Sequence, residues 1–270
     1  MGARAAAPVT AVSVRAHLES LFSLEGRTAI VTGGSSGIGL AIATSLALAG
    51  ATTALVAREE TRLDDAVRQI RAAGAEAVAV PGDLSSRDGA RAAAEAAVLA
   101  VGEPDILVNS AGINLRPPLD ELDDDVWDAT MGVNLEAPFV LGQRFGPAMA
   151  SRGFGRIISI SSQQAHRAFV QSGAYGVSKA GLEGLARSQA EAWGERGVTS
   201  NVLVPGFVLT ALNRRLASDP ERVEALAART VVGRNGVADD FAGVAVWLAS
   251  TSAAYVTGQS IAVDGGFSVH

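Results

Sequence analysis

The chain has 270 residues, 48% hydrophobic and 19% charged, so it carries material for a large core and is no candidate for disorder. With no Cys and only three scattered His (His17, His166, His270), disulfide scaffolds, thiol catalysis and a structural zinc site are excluded, and no metal is expected. A net charge of -6 without a basic stripe argues against nucleic acid, and apolar stretches fall short of the roughly 18 residues of a membrane span, so a soluble cytoplasmic protein is expected.

Residues 1–15 have an Ala-rich piece but no apolar region of signal-peptide length. Residues 1–22 read as an N-terminal arm with a weak helical pattern at Val14, Leu18 and Leu21, mobile unless a neighbouring subunit holds it. No repeat or linker divides the rest, so 23–270 reads as a single catalytic domain. Strands are expected at 27–32, 52–57, 77–80, 106–109, 156–161, 198–204 and 260–263. Helices are expected at 39–49, 61–73, 87–101, 126–151, 175–196 and 239–249. Alternation at this spacing needs crossover connections, which implies an α/β fold, a doubly wound parallel sheet flanked by helices. Residues 207–237 break the rhythm. They carry Arg214, Arg215 and a helical piece at 220–229, and insertions of this length above a sheet are usually lids or binding loops, so substrate choice is expected there.

The run Thr32-Gly33-Gly34-Ser35-Ser36-Gly37-Ile38-Gly39 follows the first strand and opens the first helix. Glycines there permit a tight turn and let backbone N–H groups and the helix dipole approach a pyrophosphate, with Gly37 and Gly39 giving the close approach. That placement favours nucleotide binding over a plain Gly-rich turn. The same residues also fit G-x-S-x-G, the nucleophile elbow of α/β hydrolases, with Ser35 as nucleophile. An elbow normally follows several strands and needs an acid and then a His downstream, and only His166, in a polar loop, and His270 remain. The second strand ends Val56-Ala57-Arg58, without the acid that binds the ribose 2′-hydroxyl of NAD. Arg58 can pair with a 2′-phosphate, which favours NADP and leaves NAD possible; the plainer reading is a solvated Arg neutralised by Glu59 and Glu60.

Of the 22 basic residues, 21 are Arg and one is Lys. That Lys lies in Tyr175-Gly176-Val177-Ser178-Lys179, where i,i+4 spacing on a helix puts phenol and ammonium on one face. A phenol titrates near 10; lowering it by about 3 units takes roughly 4 kcal/mol of differential stabilisation, expected from the ammonium and the positive ring of an oxidised nicotinamide. Tyr175 is then a general acid or base near neutrality. The plainer reading is a surface Lys near a core Tyr.

With these residues in view, the chain from Leu24 to Gly266 resembles the short-chain dehydrogenase/reductase family. The glycine loop is similar to the family's T-G-x-x-x-G-x-G, and Tyr175 with Lys179 to its Y-x-x-x-K. Ser162 stands thirteen residues before Tyr175, where the family has its catalytic serine, and Asn134 matches the fourth catalytic position. Asp83, followed by Leu84, matches the acid beside the adenine. Asn109-Ser110-Ala111-Gly112 stands for N-N-A-G, with Ser110 the one departure. Pro205-Gly206 through Val208 to Thr210 resembles P-G-x-x-x-T at the nicotinamide carboxamide. Singly, Asn134 could kink a helix, Asp83 could form a turn and Thr210 could cap; their order around Tyr175 and Lys179 favours the site reading.

The resemblance implies a Rossmann-type fold and NAD(P)-dependent hydride transfer between a ketone and a secondary alcohol. Ser162 and Tyr175 would hold the substrate oxygen, Lys179 the nicotinamide ribose, and Asn134 a water. Cofactor contacts are carried over to Gly33, Ser35, Ser36, Gly37, Ile38, Gly39, Arg58, Asp83, Leu84, Asn109, Ala111, Gly112, Tyr175, Lys179, Pro205, Gly206, Val208 and Thr210. A homotetramer built on the 126–151 and 175–196 helices, with a further contact near 260–267, is implied as well. Candidates around the substrate are Asn114, Arg116, Gln163, Gln164, His166, Phe169, Phe207, Leu212 and Arg215. The run Leu21-Phe22-Ser23-Leu24 and Arg116 resemble the gluconate 5-dehydrogenase branch, which suits a sugar acid or polyol; a 3-oxoacyl or steroid-type ketone fits almost as well. The alternative class is a non-catalytic nucleotide-binding regulator.

Overall fold

The computed structural model describes residues 13–210, 212 and 218–269, so Arg214, Arg215 and His270 lie outside the described residues. The N-terminal segment contains helix α1 (Val14–Phe22), capped where the Ser13 side chain accepts from the Ala16 N–H. Its end is tied to the body by the Ser252 hydroxyl, which donates to the Leu21 carbonyl at 2.7 Å.

Seven strands follow: β1 (Thr28–Thr32), β2 (Thr52–Ala57), β3 (Ala77–Pro81), β4 (Ile106–Asn109), β5 (Gly155–Ile160), β6 (Val198–Pro205) and β7 (Ser260–Val263). They form one parallel sheet in the order β3-β2-β1-β4-β5-β6-β7, as the doubly wound reading requires. The chain winds outward in one direction from β1 to β3 and in the other from β4 to β7. A crevice therefore opens beyond the carboxyl ends of β1 and β4, at the reversal of strand order.

Helices cover both faces because successive strand residues point to opposite sides. Ala29 and Val31 of β1 pack with Ile106 and Val108 of β4 beneath α2 (Gly37–Leu48) and α3 (Glu60–Ala72). Ile30 and Leu107, one residue out of step, pack on the other face with α4 (Arg87–Val101) and α6 (Ala137–Arg152). Each fully buried Leu or Ile there contributes about 1.5–3 kcal/mol, so Leu107→Ala would cost about 2–5 kcal/mol once its cavity is counted.

One expected helix is not continuous. The stretch expected at 126–151 starts two residues earlier as α5 (Asp124–Met131), because the Asp123 carboxylate accepts from the Val126 N–H. It then passes through a π turn (Gly132–Glu136) before α6. The cause is at Asn134, whose side chain is drawn off the helix to the loop after β4. α7 (Gly173–Trp193) begins two residues before Tyr175. The insertion after β6 carries α8 (Pro220–Ala228), with Pro at its first turn and the Asp219 side chain as cap. α9 (Ala242–Ala249) closes the first face.

Candidate active site

The glycine turn depends on two close approaches. Gly33 has φ +66°, and a Cβ there would stand 2.8 Å from the Ala111 nitrogen, so the ends of β1 and β4 touch through bare backbone. A Cβ on Gly39 would stand 2.3 Å from the Gly33 carbonyl oxygen, so any side chain would push α2 off the turn. Thr32 locks the junction: its Oγ1 donates to the Val108 carbonyl and accepts from the Ser110 and Ala111 N–H groups at 3.1 and 3.2 Å. Ser110 thus takes part through its backbone.

A cavity of about 600 Å³ runs from this turn across the sheet ends. Its wall includes Ser35, Ser36, Gly37, Ile38, Arg58, Asp83, Leu84, Ala111 and Gly112 at one end and in the middle, and Ser162, Tyr175, Lys179, Pro205, Gly206 and Val208 toward the other, while the Thr210 side chain stands against Gly37. Two residues expected at the site stand behind the wall. Asn109 is 3% exposed and donates from Nδ2 to the Ser159 hydroxyl at 3.2 Å, while Asn134 is fully buried.

At the far end from Tyr175, the Asp83 carboxylate accepts from the Ser85 N–H and hydroxyl, which together with the nearby Arg58 charge hold it below the usual carboxylate range. Glu59 pairs with Arg62 at 3.1 Å and not with Arg58, which stays exposed on the wall without an ion-pair partner among the described residues. A bare pyrophosphate-sized approach at Gly33 and Gly39 and an uncommitted guanidinium at the tip of β2 fit a dinucleotide carrying a 2′-phosphate.

Tyr175 and Lys179 share one face of α7: the Lys179 ammonium lies 5.6 Å from the centre of the Tyr175 ring. Both are buried, at 6% and 5% exposure. Lys179 Nζ donates to the Ile160 carbonyl at 2.8 Å, which fixes it at the end of β5. Ser162 follows β5 in extended conformation, accepts from the Gln164 N–H through Oγ, and stands near enough to the Tyr175 hydroxyl to favour its ionised form. The Asn134 amide grips the loop after β4, accepting from the Ile113 N–H and donating to the Ile113 carbonyl, and donates also to the Ser178 hydroxyl. Gly112 lies between Asn134 and Lys179: a Cβ there would be 3.3 Å from Asn134 Oδ1 and 3.7 Å from Lys179 Nζ.

Acidification of the phenol is expected from the ammonium and an oxidised nicotinamide together, and the protein's own groups do not supply it. Burial raises the Tyr175 pKa, and the nearby Ser162 hydroxyl and the Arg116 charge only partly offset it. The same desolvation brings Lys179 down to about 8. The protein alone keeps the proton on the phenol.

Around the Tyr175 end, Asn114, Arg116, Gln163, Gln164, Phe169, Phe207 and Leu212 all line the cavity. His166 does not; its Nε2 lies 3.1 Å from the buried Glu183 carboxylate, which also accepts from Ser161 and Ser260. No His of the described residues lines the cavity, so the hydrolase reading of Ser35 finds no base there. Sequence reasoning missed Arg222 and Leu226 of α8 and Phe267, which stacks on Phe169. The i,i+4 pair Arg222 and Leu226 was a legible face of α8, whereas nothing local marks Phe267.

Comparison with known proteins agrees with this geometry. A family model described as Enoyl-(Acyl carrier protein) reductase matches residues 33–268. Gluconate 5-dehydrogenase of Gluconobacter oxydans is 38% identical over 249 residues, covering 92% of this chain and 97% of that protein. D-threitol dehydrogenase of Mycolicibacterium smegmatis is 38% identical over 260 residues, covering 92% and 95%. The crystal structure of a gluconate 5-dehydrogenase from Burkholderia cenocepacia J2315 in complex with NADP and tartrate superposes with a TM-score of 0.88 at 37% identity, covering 94% of this chain and all of that one.

Proposed function

The chain belongs to the short-chain dehydrogenase/reductase family, and on that premise we propose how Asn134, Ser162, Tyr175 and Lys179 carry its NADP(H)-dependent interconversion of a secondary alcohol and a ketone. One observation carries the assignment: Ser162, Tyr175 and Lys179 converge at one end of a cavity that begins at the glycine turn.

In the reducing direction the Tyr175 hydroxyl gives its proton to the substrate oxygen, and the Ser162 hydroxyl donates a hydrogen bond to that same oxygen as charge builds there. In the oxidising direction the proton returns to Tyr175. Burial suits the first role, because it keeps the donor protonated until the substrate oxygen needs the proton. The nicotinamide, when bound, supplies or accepts the hydride and in its oxidised form adds positive charge near the phenol. Lys179, anchored on Ile160, would hold the ribose hydroxyls and keep a cation beside the Tyr175 ring. Asn134, whose side chain ties the Gly132–Glu136 turn to the loop after β4, would anchor a water that links Lys179 to solvent. The backbone from Gly33 to Gly39 and the Arg58 guanidinium would hold the pyrophosphate and 2′-phosphate, and NAD would bind more weakly.

The relatives named for gluconate and D-threitol support a sugar acid or polyol as substrate, ahead of a 3-oxoacyl compound. NADP reduction measured with a panel of aldonic acids, polyols and secondary alcohols tests the reading. A pure protein that binds NADPH yet turns over none of them, in either direction, would favour the non-catalytic regulator. The proposal extends to a cytoplasmic homotetramer: Trp127, Phe139 and Val177 of α5, α6 and α7 stay 38–48% exposed, and no described helix is long and apolar enough to cross a membrane. Light scattering that returned a monomer would remove the tetramer.

A further inference from the structure

Two carboxylates stand behind the Ser162 end of the cavity and line no part of it. Glu183 lies one helical turn beyond Lys179 on α7 and is 5% exposed. Its Oε1 accepts from the Ser161 hydroxyl at 2.9 Å and its Oε2 from the Ser260 hydroxyl of β7 at 2.9 Å, while the half-exposed His166 reaches Oε1 at 3.1 Å. Asp264 directly follows β7. Its Oδ2 accepts from the Gln163 amide at 2.6 Å and from the Ser268 N–H, and its Oδ1 accepts from the Gly266 N–H.

Ser161 and Gln163 flank Ser162, so each neighbour of the serine is held by a carboxylate that is itself bonded to β7 or to the turn after it. The serine needs such support. It lies one residue past the Ser161 N–H bond to the Leu203 carbonyl, where the pairing of β5 with β6 ends. Its hydroxyl accepts from the Gln164 N–H, which orients the side chain without fixing where the backbone carries it. The Ser161 hydroxyl also stands 3.2 Å from the Lys179 carbonyl oxygen, so the Glu183 bond sets the end of β5 against the turn of α7 that carries Tyr175 and Lys179. Packing alone does not account for this arrangement. A buried carboxylate is costly to desolvate, and an apolar side chain on α7 would fill the same space without that cost.

We infer that Glu183 and Asp264 are positioning residues for Ser162, two carboxylate braces that hold the serine hydroxyl beside the Tyr175 phenol so that both meet one substrate oxygen. This rests on the oxidoreductase reading above and adds to it two residues that lie behind the cavity wall. Glu183 is the stronger brace, because it joins α7, β5 and β7 at once. His166 is dispensable to it, since each carboxylate oxygen keeps a hydroxyl donor without the imidazole.

A double-mutant cycle with Ser162→Ala tests the braces, using the best substrate of the aldonic acid and polyol panel. Glu183→Ala alone should lower kcat about tenfold or more while NADPH affinity stays within about twofold. Glu183→Gln, which still accepts from one hydroxyl, should recover most of that loss. In the Ser162→Ala background the same Glu183→Ala should cost about threefold or less, because the group it positions is gone. Asp264→Ala should follow the same pattern with a smaller loss, and it carries the cycle if Glu183→Ala does not fold. Losses that multiply in full across the cycle would overturn the braces, since they would show the carboxylates acting on something other than Ser162. Crystal structures of the NADP-bound variants give a readout that needs no turnover: Ser162 Oγ should shift from the Tyr175 hydroxyl by about 0.5 Å or more. A serine that stays in place in both alanine variants sinks the braces and leaves the oxidoreductase standing. A serine that shifts, in a protein whose unaltered form turns over no substrate, sinks the oxidoreductase reading instead.

Discussion

The two ends of the cavity are built from different material. At the glycine turn the wall is backbone: Gly33, Gly39 and Ala111 approach so closely that a single Cβ would collide, and Glu59 pairs with Arg62 while Arg58 has no ion pair among the described residues. At the Tyr175 end the wall is side chains contributed by α7, α8, the loop after β4 and Phe267, and its Arg116 and Arg222 have no ion pair among the described residues. A backbone cradle accepts one ligand shape and tolerates little change. A side-chain wall on loops can be altered residue by residue without disturbing the sheet, which is how one fold serves many substrates.

The comparison is tested most severely at Tyr175. Tyr175→Phe should cut turnover about a thousandfold while leaving NADPH affinity within about threefold by fluorescence titration. Residual activity near the starting level would show that the two ends do not divide chemistry from cofactor binding. Lys179 serves activity at a cost to stability. Burial brings its pKa from 10.5 to about 8, so between those values the unfolded chain holds a proton the folded one has released. The penalty is complete below about 8 and disappears above 10.5. Lys179→Met should therefore raise the melting temperature at neutral pH, recovering part of about 3 kcal/mol because the Ile160 carbonyl loses its donor. That advantage should shrink through the alkaline window while turnover collapses; a variant less stable than the parent at every pH would contradict it.

At the opposite end, Arg58→Ala should weaken NADPH binding about tenfold or more and NADH binding about twofold or less. Equal losses for both would remove Arg58 from 2′-phosphate recognition. The smallest effect belongs outside both ends. His166→Ala removes a half-exposed partner of Glu183, which keeps two hydroxyl donors, so stability should change by about 1 kcal/mol or less and kcat/KM by about twofold or less. A large kinetic loss would mean that the substrate wall extends further than the cavity outlines.

Much of the backbone-built end was legible in the residues. The short β-branched runs predicted all seven strands, and the glycine spacing located the turn, because both act through local backbone preference. The single Lys four residues after a Tyr located the other pole of the site in the same way. The π turn was not legible, since it comes from the Asn134 amide reaching a loop 21 residues away. Nor was the meeting of Phe169 with Phe267, nearly a hundred residues apart.

By itself, then, the order of residues determined the fold class, the glycine cradle and the one-faced pairing of Tyr175 with Lys179, all of which follow from the periods of helix and strand. Only the tertiary structure decided which groups lose water. Desolvation raises the Tyr175 phenol where an isolated pair would have lowered it, and packing leaves Arg116 and Arg222 without an ion pair among the described residues. Burial and the balance of charge are sums over neighbours distant in the chain, and no local pattern encodes them.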